Sequence, residues 1–247
     1  MRNENTRTGD ALQFRIPHSA FRICAIIPAL DEEDAIGGVV RALDRALVHE
    51  VIVVDNGSRD RTAARAAAAG ARVVREGRRG YGRACLAGVR AAGEADVLVF
   101  LDGDGGDVPE EVPGLLAPLL RGEADLVLGS RILGVREPGS LQGHQLWGNR
   151  LVLRLLRLLY GVRLTDFGPF RAVRAPALRA LGMAHPTYGW PIEMVVKAAR
   201  SGLRIAEVPV RCRRRVGRSK VAGTLRGSLL AGYHLLATVL RYARSSR

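Results

Sequence analysis

Apolar positions along this chain follow two rhythms. Five short runs, "RICAIIPAL" (22–30), "EVIVVDNGS" (50–58), "ARVVRE" (71–76), "ADVLVFLD" (95–102) and "ADLVLGSR" (124–131), are mostly hydrophobic without alternation, and most end in turn residues or charge. Strands buried on both faces of a parallel sheet have that character. Between the runs lie segments with helical spacing. "DEEDAIGGVVRALDRAL" has the acidic start that suits a helix N-terminus, and the alanine-rich "RDRTAARAAAAGA" closes at Gly70. "YGRACLAGVRAAG" and "PEEVPGLLAPLLRG" continue the pattern. Such alternation predicts an α/β fold, a Rossmann-like, mostly parallel sheet flanked by helices, in which ligands bind beyond the carboxyl ends of the strands. The turns "DNGS" and "DGDGGD" both fall at such ends.

After the fifth strand the rhythm changes. "LQGHQLWGNRLVLRLLRLLYG" (141–161) spaces leucine and arginine as an amphipathic helix whose apolar face must cover something. A compact "TDFGPFRAVR", a helix around "YGWPIEMVVKAARSG", a strand "LRIAEVPVRCRRRV" and a final amphipathic helix follow. The expected organisation is a polar lead-in over 1–20, one domain over 21–223, and a C-terminal amphipathic helix with a basic tail over 224–247.

Composition narrows the partners. The chain has 247 residues and a formal net charge of +14, which implies an anionic partner. Residues 201–247 carry eleven Lys or Arg against the single acid Glu207, so the anion-binding face is expected toward the C-terminus. Cys24, Cys85 and Cys212 form no CxxC pair and suit a reducing compartment, with Cys24 and Cys85 packing as small hydrophobes. No apolar run is long enough to span a membrane. An aromatic content of 5% and carboxylates at the expected ligand end argue against nucleic acid.

Against that positive charge, "VLVFLDGDGGDVPEE" (97–111) gathers carboxylates at one strand end. Hard cations take oxygen ligands, and Asp102 and Asp104 point two carboxylates toward one place, which makes a divalent metal, Mg²⁺ or Mn²⁺, the expected cofactor. Asp107 is either a third ligand or a helix cap. "GRRGYGRA" has the spacing G-x-x-G-x-G and not a dinucleotide fingerprint, and no Walker-type loop exists. A nucleotidyltransferase would need a basic glycine-rich loop after the first strand, where this chain has the acidic "IIPALDEED".

"IIPALDEEDAI", "VIVVDNGSRDRTAARAAAAGARVV", "GYGRACLAGVRAA", "DVLVFLDGDGGDVPEEV", "DLVLGSR" and "LTDFGPFRAVR", in that order, resemble family 2 glycosyltransferases. The likeness is nearest to the dolichol-phosphate mannosyltransferase and polyprenyl-phosphate branch. The resemblance implies a GT-A fold, a nucleotide-sugar donor (a UDP- or GDP-sugar), a divalent metal and inversion at the anomeric carbon. It places Pro28, Leu30, Glu32, Asp55, Gly80, Gly82 and Asp102 at the donor, with Asp55 accepting from the nucleobase. It places Asp166 near the acceptor; for a hydroxyl acceptor Asp166 or Glu193 is the candidate base, whereas a phosphate acceptor needs none. Arg131, Arg218 and Lys220 are the implied phosphate contacts. The motif departs from the branch at Gly106, where a glutamine near the metal is usual.

The preferred acceptor is a polyprenyl phosphate at an anionic membrane surface, which would put the protein in the cytoplasm, peripheral to the inner face of the membrane. A soluble hydroxyl acceptor stays open, as does a homodimer through the leucine-rich helix.

Overall fold

The computed structural model describes residues 21–217, 237–239 and 241–242. The expected lead-in therefore lies outside the described residues, as does the final helix except for 237–239 and 241–242, which are helical. Seven strands form one sheet: β1 (Ile23–Ala29), β2 (Glu50–Asp55), β3 (Arg72–Arg75), β4 (Val97–Phe100), β5 (Leu126–Ser130), β6 (Arg171–Arg174) and β7 (Ile205–Pro209). Their spatial order is β3-β2-β1-β4-β6-β5-β7, with only β6 antiparallel to its neighbours. The apolar runs behave as expected of doubly covered strands, since β1, β4 and β5 are buried along their whole length.

Helices cover both faces. One core packs α1 (Ile36–Ala42) and α4 (Val112–Leu120) against Ile27, Val53, Val99 and Val127. The other packs α3 (Tyr81–Ala91), α5 (Gly143–Tyr160) and α7 (Trp190–Arg200) against Ile26, Val54, Leu98 and Leu128. Period-two alternation thus sends adjacent strand residues into different cores. Two short helices, α2 (Thr62–Ala68) and α6 (Ala175–Ala180), complete the layers. All three cysteines are buried and free.

The structure departs from the sequence pattern in three places. The first helix starts only at Ile36, because the acidic stretch before it is spent on a loop held by the β2–α2 turn. The compact "TDFGPFRAVR" contains β6, a strand hidden in the sequence by arginines at both ends. Arg171 is nonetheless fully buried, its guanidinium donating to the carbonyls of Phe167, Gly168, Pro169 and Pro191. Finally, the last strand ends at Pro209, and the arginine-rich 211–217 leaves the sheet to bond the neighbouring loops, through bridges of Cys212 to Asp107 and Arg136 and through the Arg213 and Val216 amides to the carbonyls of Gly106 and Asp104.

Candidate active site

The chain runs outward from β1 through β2 to β3, then returns to place β4 on the other side of β1. Loops that leave β1 and β4 at their carboxyl ends therefore diverge over a crevice, the place where open α/β sheets bind ligands. A cavity of about 550 Å³ lies there, lined by Pro28–Glu32 at the end of β1 and just beyond it, Asp102–Asp104 after β4, and Arg79–Tyr81 at the start of α3. Asn56, Tyr188 and Arg215 also reach it. The expected donor residues Pro28, Leu30, Glu32, Gly80 and Asp102 thus meet in one cavity, together with Asp104.

The acidic turn is crowded with charge. Burial, followed by repulsion from Asp104 and Asp107, pushes the Asp102 carboxyl well above the usual carboxylate range. Burial raises Asp107 to about 7, although the hydrogen bond from the Asp102 amide opposes the rise. That bond, 2.9 Å from the Asp102 N–H to Asp107 Oδ2, ties the two ends of the turn together. Asp107 does not cap the following 3-10 turn, Pro109–Glu111, which has no side-chain cap. A cation would relieve the repulsion among these carboxylates, so the donor set fits a divalent metal held by Asp102 and Asp104. Among the described residues no group of three or more His, Cys, Asp or Glu side chains forms a ligand set.

Arg215, from the basic run after β7, has its Nη2 3.1 Å from Asp104 Oδ2 and 3.3 Å from Glu32 Oε1, across the cavity. Its Nε is buried without a hydrogen-bond partner. A guanidinium with an unmet donor beside two carboxylates is placed to meet phosphate oxygens. The only sequence signal for it was the basic run itself.

The β1 loop is held rigidly. The amides of Asp31, Glu32 and Glu33 donate to Ser58 Oγ, Thr62 Oγ1 and Asp60 Oδ2, and Asp31 Oδ1 accepts from the Arg59 amide. This lattice sustains a positive φ of 51° at Asp31, uncommon outside glycine. Asp55 is buried at the end of β2, its Oδ1 accepting from the Ser58 amide. Asn56 is the neighbour that reaches the cavity wall. It also fastens the 76–80 loop, donating to the carbonyls of Glu76 and Arg78 and accepting from the Gly80 amide at 2.7 Å.

Contacts within the protein already require glycine at 80 and 82. A Cβ at Gly80 would overlap the Pro186 carbonyl and one at Gly82 the His185 carbonyl, and Gly80 also has φ +149°. The Arg83 amide donates to Pro186 O at 3.0 Å in the same close approach. Gly82 does not line the cavity.

The two candidate bases are both engaged elsewhere. Asp166 is fully buried and receives a fork from Arg131, Nε to Oδ2 at 2.7 Å and Nη2 to Oδ1 at 2.9 Å. Asn149 Nδ2 and the Phe167 amide add to it. Burial alone would raise this carboxyl, but the Arg131 fork outweighs it and the pKa is lowered. Arg131 is held in turn, its own pKa raised by Asp166 against the effect of burial. Glu193, also fully buried, accepts from the amides of Ala184 and His185, from Lys197 Nζ at 2.9 Å and from Tyr242 Oη at 2.6 Å. Its pKa is lowered because those donors overcome burial. Neither carboxylate lines the cavity, and neither has the raised pKa of a waiting base. Arg218 and Lys220 lie outside the described residues.

The family model for glycosyl transferase family 2 matches residues 24–182. An uncharacterized glycosyltransferase of Mycobacterium tuberculosis (strain ATCC 25618 / H37Rv) is 37% identical over 212 residues, 85% of this chain and 94% of the relative. The undecaprenyl-phosphate mannosyltransferase of Micrococcus luteus is 34% identical over 224 residues, 83% of this chain and 90% of that protein. Among solved structures, glucosyl-3-phosphoglycerate synthase from Mycobacterium tuberculosis in complex with Mn²⁺, uridine diphosphate and phosphoglyceric acid superposes with a TM-score of 0.73. It is 30% identical, over 90% of this chain and 78% of the synthase.

Proposed function

The chain belongs to glycosyl transferase family 2, and from that premise we propose that it moves a hexose from a nucleotide diphospho-sugar to a phosphate-bearing acceptor, with inversion and with a divalent metal. The observation that carries this reading is the meeting of Asp102, Asp104 and Arg215 at the β1/β4 switch point, in a cavity long enough to run from the β1 loop to the acidic turn. A UDP-sugar with Mn²⁺ is the favoured donor pair, because the similar synthase has been solved with Mn²⁺ and UDP-glucose. Asp102 and Asp104 would hold the metal, which supplies charge neutralisation for a departing diphosphate. Asn56 and the Pro28–Glu32 loop shape the nucleoside end, with Asp55 behind them, and Arg215 turns from Asp104 to the diphosphate oxygens.

An acceptor oxygen attacks the anomeric carbon while the bond from that carbon to the diphosphate breaks, and the nucleoside diphosphate departs with the electron pair. A phosphate monoester oxygen is already anionic and needs no proton removed. That suits a site whose two candidate bases, Asp166 and Glu193, are fully committed to other donors. Asp166 then acts by holding Arg131, and Arg131, Arg218 and Lys220 are the groups proposed to meet acceptor phosphate. A polyprenyl phosphate is the preferred acceptor, supported by the similarity to the Micrococcus luteus mannosyltransferase. A soluble hydroxyl acceptor, whose proton would have to be taken by a base, is the second reading, supported by the similarity to the synthase solved with phosphoglyceric acid.

A thermal-shift panel of UDP-, GDP-, CDP- and dTDP-sugars, each with and without Mn²⁺, tests the donor half. Stabilisation should require metal and nucleotide together and should vanish in Asp104→Asn. An unchanged response in that variant overturns the metal assignment. Product analysis with undecaprenyl phosphate against phosphoglycerate separates the two acceptors.

A further inference from the structure

Helix α5 has one face that belongs to the protein and one that does not. Asn149, Val152 and Leu156 are buried, and Asn149 Nδ2 reaches Asp166 Oδ1 at 3.1 Å. On the outer face Trp147, Arg150, Arg154 and Leu158 follow one another at steps of three, four and four residues, which is one line down a helix. Trp147 is 68% exposed and Leu158 80%, with Arg157 and Leu159 exposed beside them. Helix α5 contains no Asp or Glu.

The chain between β5 and α5 is also apolar at its surface. Among the described residues, the exposed large apolar side chains are Ile132, Leu133, Val135, Trp147, Leu158, Leu159 and Val216. All but Val216 fall between the end of β5 and the end of α5. Val216 lies on the segment that returns to this loop through the Cys212 amide to Val135 O and the Glu137 amide to Cys212 O. Monomeric surfaces rarely gather apolar groups this way without a partner.

Charge complementarity decides what the partner is. A second copy docked through the same face would set arginine against arginine, since a two-fold interface pairs a patch with itself. The chain's own residues 218–247 offer six Lys or Arg and no acid. Nucleic acid would satisfy the arginines but leave Trp147, Leu158 and Val135 against phosphate and water. Exposed Trp and Leu interleaved with Arg on one helix face suit the headgroup layer of an anionic bilayer, where rings and alkyl chains enter and guanidinium groups meet lipid phosphate.

We propose that the outer face of α5 docks this protein on an anionic lipid bilayer, with Trp147 and Leu158 entering the headgroup layer and Arg150, Arg154 and Arg157 pairing with lipid phosphates. The inference deepens the lipid-acceptor reading above and rests on it for its purpose: the opposite face of the same helix positions Asp166 and hence Arg131, so docking sets the acceptor end of the site beside the membrane.

The protein carries its own reporter, since of its two tryptophans Trp190 is buried and Trp147 is exposed. The 247-residue chain is titrated with vesicles of phosphatidylcholine alone and of phosphatidylcholine with an equal part of phosphatidylglycerol, by co-sedimentation and tryptophan emission. Association with the anionic vesicles only, a blue shift that Trp147→Phe removes, and weakening by raised salt are expected. The triple variant Arg150→Gln, Arg154→Gln, Arg157→Gln should bind about a hundredfold more weakly, at roughly fivefold per arginine. Its thermal response to UDP-glucose with Mn²⁺ should equal that of the unmodified chain, which also establishes that it folds. No association at low salt, equal association with neutral vesicles, undiminished binding by the triple variant, or binding to an RNA oligonucleotide in place of vesicles would each overturn the proposal. Vesicle binding retained in a protein that answers no nucleotide-sugar would uphold it while removing the donor reading.

Discussion

Two sets of buried or half-buried carboxylates in this molecule live in opposite circumstances. In the acidic turn after β4, Asp102 and Asp107 are raised, chiefly by burial and then by neighbouring carboxylates, and Asp104 pairs with Arg215 across the cavity. Asp166 and Glu193 are lowered although also buried, because both oxygens of each carboxylate accept from several donors. Burial is common to both sets; satisfaction is not. A carboxylate with unmet charge at a strand end is poised for a cation, whereas a satisfied one is a brace.

The sharpest test of that contrast is to remove charge from the turn. Asp102→Asn or Asp104→Asn should lower kcat/KM by about a thousandfold, the scale of one lost electrostatic stabiliser, while the metal-free melting temperature stays level or rises. A melting temperature that falls with activity would place these residues among the braces. The opposite outcome is expected at the brace: Asp166→Ala leaves Arg131, whose side chain is 20% exposed, without its partner. Stripping one member of a nearly buried pair costs about 3 kcal/mol or more, which urea denaturation would read directly.

Glu193→Gln should cost less, about 1–2 kcal/mol, through the weakened bonds from Lys197 and Tyr242. It also carries a pH signature. Because the folded pKa lies below the ordinary value of 4.5, the ionised Glu193 stabilises the fold above that value. That contribution is lost as pH falls through the lowered folded pKa. Unfolding free energy followed downward from neutral pH should therefore have a shallower acid limb in the Gln variant than in the unmodified protein. The smallest expected effect is that of Tyr242→Phe, which deletes one hydroxyl donor to Glu193 and should cost about 1 kcal/mol by the same measurement.

Much of the fold was legible because its signals are local. Uninterrupted apolar runs mark β1, β4 and β5, and the acidic turn announces itself by three aspartates in six residues. Strand β6 was not legible: its burial depends on Arg171 finding carbonyls on Phe167, Gly168, Pro169 and Pro191, contacts that no periodicity encodes. The glycines after β3 were visible as an unusual pair, but the reason for them, close approach to the backbone of His185 and Pro186, belongs to the assembled molecule.

By itself, then, the sequence determined an α/β layering, the direction in which strand ends point, and a carboxylate-rich turn at one of those ends, since each depends on side-chain period and turn chemistry over a few adjacent residues. Only the tertiary structure decided which carboxylates stay available and which are consumed. The partners that settle it are remote along the chain, 35 residues for Arg131 with Asp166, 49 for Tyr242 with Glu193 and 183 for Arg215 with Glu32. A carboxylate's chemistry follows from the donors and charges within a few ångströms of it, and distance in space is what folding, not residue order, assigns.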